Sequence, residues 1–548
     1  MGRSSRRKLL RKEQSFHPES MNVDNKAAYL WKWVALALVI IFVAIVRIRL
    51  LNFPLERDEG EYAYLGQLIL EGIPPYELAY NMKFPGIYFM YALIMAFLGQ
   101  TTQGIHLGLL LLNIASIVLV FLITLKIIDH TGAVIASATY GVLSLSPHVL
   151  GFAGHATHFV VFFALAGFLI LLKSFEQDKK QGYFWSGSLF GLAFLMKQSA
   201  VFYCIFGALA ILFNVFNSKP FSRKKLFLYP FIFSMGFLIP IFGTFIFLYS
   251  TGVFNRFWFW TFTYLSRYAV QVPINIAVNI FKTSTLLVID GFFLVWIFSA
   301  FGIIMAIFGG QLKGKRLLLV SFTFFSFLTI CPGLYFREHY YITLLPAVAI
   351  LTGVFCYSLN VFIKNKYIVV ALFVISIFIG INNQKEYLFT ADISKLSRDI
   401  YGSNPFPESV EIAKFINSRT SPDDTIGILG SEPEIFFYSK RRSASGYIYT
   451  YGLMEDHPYS LKMQKEMAEE IELKMPKIII SVRIRSSWMV RDESERYIFD
   501  WAAHYISENY TPVGVVDIYG NATIYKWGKD AENYRPGPNH IYVYERRA

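Results

Sequence analysis

Up to about residue 383 the chain is a succession of apolar blocks, each about 16 to 24 residues long, and this restricts its fold more than any other feature. In a hydrocarbon layer every backbone polar group needs an internal partner, so such a block spans as an α-helix of about 20 residues. Of the 548 residues, 55% are hydrophobic and 16% charged, whereas soluble domains carry about a quarter charged residues. From about residue 384 the composition becomes that of a soluble domain. The sequence therefore predicts a polytopic α-helical membrane module followed by one globular domain.

The net charge of +13 is placed in short runs. Arg3, Arg6, Arg7, Lys8, Arg11 and Lys12 form a basic N-terminal tail, and Lys179-Lys180, Arg223-Lys224-Lys225, Lys313-Lys315-Arg316 and Lys364-Lys366 separate apolar blocks. That is the positive-inside pattern of cytoplasmic loops, and it argues against a nucleic-acid partner. Cys204, Cys331 and Cys356 lie in or beside apolar blocks and read as core residues. The first block, Trp31 to Leu51, is too long for a signal sequence and no cleavage site follows it, so it stays as a spanning helix.

Candidate spans are 30–51, 104–127, 132–149, 154–173, 183–196, 198–213, 226–249, 286–309, 316–333, 340–363 and 366–383, about eleven in all. A further apolar stretch, 84–98, is short and opens on Pro85-Gly86. Counting it as a span would put Lys179-Lys180 outside and Lys197 mid-helix. As an interfacial helix it leaves every basic loop inside and brings Lys197 to the outer surface. The expected organisation is a cytoplasmic tail over 1–29, a transmembrane module over 30–383 with its first outer loop at 52–103, and an outer globular domain over 384–548. That domain alternates helix patterns near 408–418, 459–474 and 494–508 with strand patterns near 425–429, 477–482, 512–517 and 522–526, which predicts a small α/β fold.

Ionisable groups crowded at one membrane face invite a functional reading. Arg57-Asp58-Glu59-Gly60-Glu61-Tyr62 follows the first span directly, and a carboxylate there can act as general base on a hydroxyl. Alone, the segment also reads as a solvated acidic loop. Lys83 opens the short apolar helix and could neutralise a phosphate, although a lysine there can equally snorkel to the headgroups. His155 and His158, at i, i+3 spacing, share a helix face but make an incomplete metal set. Lys197 falls between two short helices, Arg337 opens a late span from outside, and Arg256, Tyr264, Arg267 and Tyr268 sit in an aromatic outer loop. Jointly they place a carboxylate pair and several cations on one face, an arrangement suited to a lipid phosphate. No Walker sequence, paired CxxC or Ser-His-Asp spacing occurs.

On these residues the chain resembles the GT-C superfamily of polyprenyl-phosphate-sugar-dependent glycosyltransferases, in its bacterial branch related to protein O-mannosyltransferases and the lipid A aminoarabinose transferase. Asp58-Glu59 after the first span, with Tyr62 following, is similar to the family's acidic pair. Lys83-Phe84-Pro85 matches its Lys-Pro-Pro-like stretch. Gly191-Leu192-Ala193-Phe194-Leu195-Met196-Lys197-Gln198 matches its Gly-Leu-Ala-Leu-Leu-Thr-Lys-Gly stretch, and His339-Tyr340-Tyr341 through Pro346-Ala347 its Arg-Tyr-x-Leu-x-Leu-Pro-Ala stretch. The likeness covers about residues 30–383. At the start of the fourth span, where relatives often carry Asp or Glu, this chain has His155 and His158.

The resemblance implies an inverting transfer of a sugar from a polyprenyl-phosphate donor to a hydroxyl acceptor (lipid, glycan or protein) at the outer face of a bacterial inner membrane. Asp58 would be the general base and Glu59 would orient the acceptor or the loop. Lys83, Lys197 and Arg337 would hold the donor phosphate. Tyr62, Tyr264, Arg267, Tyr268, His339 and Tyr340 would border the substrate groove. No cofactor is required on this reading; a divalent metal at His155 and His158 is possible but not favoured. The alternatives are a polytopic lipid or sugar transporter or flippase, a non-enzymatic scaffold displaying the globular domain, and a diphosphate-linked oligosaccharide transferase.

Overall fold

The computed structural model describes residues 23–268 and 271–547; the expected basic run at residues 3–12 lies outside the described residues. Each apolar block forms helix. Seven helices are long and apolar enough to cross a membrane: Leu30–Arg49, Thr102–Ile127, Ala156–Gln177, Gln198–Phe216, Arg223–Ser250, Leu345–Ile363 and Lys366–Asn383. Shorter helices, His130–Leu143, Lys180–Met196 and Arg316–Leu328, complete the bundle. Side chains such as Phe97, Phe227, Phe308 and Phe362 are at least three-quarters exposed. Water would not tolerate that apolar surface, but a bilayer would cover it.

Local chemistry sets the helix starts. Thr101 caps Thr102–Ile127 by accepting from the Gly104 N–H, and Asp129 caps His130–Leu143 through the Gly132 N–H at 2.8 Å. Close helix packing relies on small residues. A Cβ on Gly187 would stand 2.0 Å from the Phe233 carbonyl oxygen, so only glycine lets Lys180–Met196 lie against Arg223–Ser250.

The stretch expected at 84–98 is the helix Gly86–Leu98, 13 residues long. At 1.5 Å per residue it reaches about 20 Å, well short of the roughly 30 Å hydrocarbon layer. The expected break at Lys197 is also present: Lys180–Met196 ends there and a short 3₁₀ turn, Gln198–Ala200, leads into the next helix. One expectation is corrected. The block at 286–309 is not a single helix, because Ile274–Asp290 and Phe293–Phe308 meet at a 109° bend. Gly291 sits at that corner, and Phe292 has left the helical backbone there.

The globular domain is built on a six-stranded mixed sheet: β1 Thr425–Leu429, β2 Arg442–Ser443, β3 Ile478–Arg483, β4 Tyr510–Tyr519, β5 Ala522–Trp527 and β6 His540–Arg546. Its order is β2-β1-β3-β6-β4-β5, parallel at β2-β1-β3 and antiparallel elsewhere. β3, whose Ile478, Ile479 and Ile480 are all fully buried, lies at its centre, as a strand covered on both faces should.

This domain rests on the helix Arg57–Leu70. Arg57 reaches Glu432 at 3.2 Å, the Tyr451 hydroxyl at 2.7 Å and Asn404 at 3.0 Å, all from the globular domain. A Cβ on Gly60 would stand 2.6 Å from the Glu434 backbone nitrogen, so the two surfaces meet main chain to main chain.

Candidate active site

Asp58 lies in the first turn of Arg57–Leu70, where the helix dipole favours a carboxylate. Glu56 caps that helix by accepting from the Glu59 N–H at 3.0 Å. The Lys83 ammonium stands 2.8 Å from Asp58 and 2.5 Å from Glu61. Asp58 and Glu61 are three residues apart and so share a helix face. Glu61 is fully buried, and its second oxygen accepts from the Tyr88 hydroxyl at 2.7 Å. The rings of Tyr62 and Tyr449 flank the ammonium at 4.8 and 5.4 Å. Burial works against an ionised Asp58, but Lys83, His155 and Arg337 outweigh it and hold the carboxyl well below its usual range. Asp58 is therefore a carboxylate at any physiological pH.

A cavity of about 230 Å³ opens beside it. Its wall brings together Asp58, Tyr62, Lys83, Lys197, Tyr264, Tyr268, Arg337, His339 and Tyr340, nine of the residues expected from the sequence. The Lys197 ammonium lies 3.4 Å from the Tyr340 ring centre, and the Arg337 guanidinium 5.6 Å from that of Tyr335. Among the described residues neither cation forms an ion pair with a carboxylate. Burial lowers the Lys197 ammonium to about 7, with Asp58 opposing and Lys83 and Arg337 adding to the effect.

Two expected residues lie off this wall. Glu59 is fully buried; it accepts from the Gly154 N–H at 2.5 Å and stands 3.2 Å from a His106 ring nitrogen. It braces the loop that carries His155. Arg267 is exposed. Three further groups join the site. Glu61 was within reach of the i, i+3 rule, but Tyr449 and Glu455 come from the globular domain and carry no local signal.

His155 stacks on His339 with ring centres 4.1 Å apart, and its Nδ1 is 3.9 Å from Asp58. Ligand atoms of Asp58, His155 and His339 all lie within 4.8 Å of one another. Burial lowers His155 to about 4, Asp58 and Glu59 opposing and Lys197 and Lys83 adding to it. Its ring is therefore neutral, and neither nitrogen has a hydrogen-bond partner among the described residues. These donors fit a divalent ion, while the neighbouring cations oppose one. His158 is not part of this cluster.

Residues 82–243 match the family model for dolichyl-phosphate-mannose-protein mannosyltransferase. No curated protein sequence matches significantly. ArnT from Cupriavidus metallidurans, solved bound to undecaprenyl phosphate, superposes with a TM-score of 0.60 at 12% identity, over 94% of this chain and 98% of that one. The oligosaccharyltransferase AglB from Archaeoglobus fulgidus, solved with an inhibitory peptide and a dolichol-phosphate, gives 0.54 at 13% identity over 92% and 75%. An oligosaccharyltransferase from Archaeoglobus fulgidus in complex with Zn and sulfate gives 0.51 at 14% identity over 90% and 72%.

Proposed function

We propose that this GT-C-type membrane glycosyltransferase moves a sugar from a polyprenyl-phosphate donor to a hydroxyl acceptor, with inversion, at the outer face of a bacterial inner membrane. The carrying observation is that Lys197 and Arg337 face the cavity without a carboxylate partner, beside a carboxylate, Asp58, that stays ionised. Two basic groups without a carboxylate partner in a partly dry cavity favour an anion, which would also hold the proton on Lys197. A lipid phosphate at the membrane surface supplies one, and ArnT was solved with such a lipid bound.

The acceptor oxygen attacks the anomeric carbon from the face opposite the phosphate. The new C–O bond forms as the bond from that carbon to the phosphate oxygen breaks, and its electron pair stays on the polyprenyl phosphate. Lys197 and Arg337 stabilise the charge that develops there, the electrostatic contribution that usually dominates. The acceptor proton passes to Asp58. Lys83 is shared between Asp58 and Glu61, so its role is to fix the base more than to hold phosphate. Asp58, His155 and His339 would hold a divalent ion, which when bound would add positive charge at the cavity. The steps above use only the chain's own groups.

The test is binding of undecaprenyl phosphate to the detergent-solubilised full chain. Lys197→Ala with Arg337→Ala should weaken it by about two orders of magnitude. Unchanged binding in the double variant would remove the basis of the proposal.

A further inference from the structure

Glu455, in the globular domain, is 6% exposed and lines the same cavity. One of its oxygens accepts from the Tyr264 hydroxyl at 2.6 Å and from the Gln271 amide at 3.1 Å. The other has no partner among the described residues, and no cation pairs with the group. That leaves an acceptor oxygen on the cavity wall for the hydroxyl donors of a ligand. Around it the lining is aromatic: Tyr264 meets Trp260 edge-on at 5.1 Å, and Trp260 stacks with Tyr80 at 6.0 Å. Flat apolar rings beside a carboxylate match a molecule with an apolar C–H face and neighbouring hydroxyls, which is a sugar ring.

The segment that carries Glu455 also reaches the residues around Asp58. Tyr449 faces Lys83 at the Asp58 end of the cavity, and Glu455 follows six residues later on the same segment. A sugar resting on this segment would lie along a wall that reaches Lys83, the partner of Asp58. The phosphate end, at Lys197 and Arg337, belongs to the membrane module instead. Resting on the transfer reaction above, we propose that the segment Tyr449–Glu455, with Trp260, forms the acceptor subsite and that its ligand is a carbohydrate. The globular domain then contributes directly to substrate binding.

The experiment is saturation-transfer NMR on the full chain in lauryldimethylamine oxide, a detergent without a sugar headgroup. The probes are methyl hexosides, methyl aminohexosides and a serine-containing pentapeptide, with undecaprenyl phosphate binding measured in parallel. The expected result is binding of a glycoside, weakened about tenfold or more by Glu455→Gln and by Trp260→Ala while undecaprenyl phosphate binding stays unchanged. Binding of the peptide and of no glycoside would overturn the proposal. So would a Glu455→Gln variant that binds glycosides normally, or one whose only loss is in undecaprenyl phosphate. Loss of undecaprenyl phosphate binding in the Lys197 and Arg337 variants is read separately, so the donor assignment stands or fails by itself.

Discussion

The ammonium of Lys83 lies 2.8 Å from the carboxylate of Asp58, joining the helix Arg57–Leu70 to the segment that opens Gly86–Leu98. Glu61 holds the same ammonium at 2.5 Å from a fully buried position. The arrangement sets both the charge and the position of the proposed base, and it makes the first prediction specific.

Lys83→Met removes the counter-charge from two carboxylates at once. Asp58 is depressed in the folded state, so its stabilising contribution is present above its unfolded value and lost as pH falls through the folded one. Without Lys83 the acid limb of activity should move to higher pH, and thermal stability near neutrality should drop. A pH–rate profile of the variant checks this, and an unmoved acid limb would contradict it.

Lys197 should make the proposed donor site sensitive to pH. Its ammonium titrates at about 7 in the free protein, and a bound phosphate would raise that value, so binding takes up a proton. Undecaprenyl phosphate affinity should therefore fall as pH rises above about 7, by up to about tenfold per pH unit. Lys197→Met should bind more weakly at pH 6 and lose most of this slope. Titrations at pH 6 and 9 on both proteins measure it.

Arg57 ties the globular domain to the helix Arg57–Leu70 through Glu432, Tyr451 and Asn404. Arg57→Met leaves the fully buried Glu432 without its cation, which typically costs about 3–5 kcal/mol. The expected outcome is a lowered melting temperature with partial recovery in Arg57→Met/Glu432→Gln, since the second change removes the stranded charge. A double-mutant cycle showing simple additivity would contradict the coupling.

The membrane module was legible because lipid imposes a length and an apolar composition on every span. The helix break at Lys197 and the short helix within 84–98 were both legible along the chain. The corner at Gly291 was not, because Asp290 is the one charged residue in 286–309 and hydropathy averaged over a span does not register a bend. Four strands lay where β-rich runs predicted them. β2 is two residues long, too short to show a pattern, and β6 takes its place by pairing with β3 and β4. At the site, Glu59 and Glu61 look alike in sequence, and only packing against Gly154 and against Lys83 separates their roles. Tyr449 and Glu455 reach the cavity through a domain contact spanning almost four hundred residues, which no local pattern encodes.

The central claim is that Asp58 takes the acceptor proton while Lys197 and Arg337 hold the donor. Its most direct measurement is transfer by Asp58→Asn, using polyprenyl-phosphate sugars from a membrane lipid extract as donors, alongside undecaprenyl phosphate binding. The account predicts transfer reduced about 10²–10⁴-fold with lipid-phosphate binding kept within a few-fold of the unaltered protein. Transfer at the unaltered rate would contradict it.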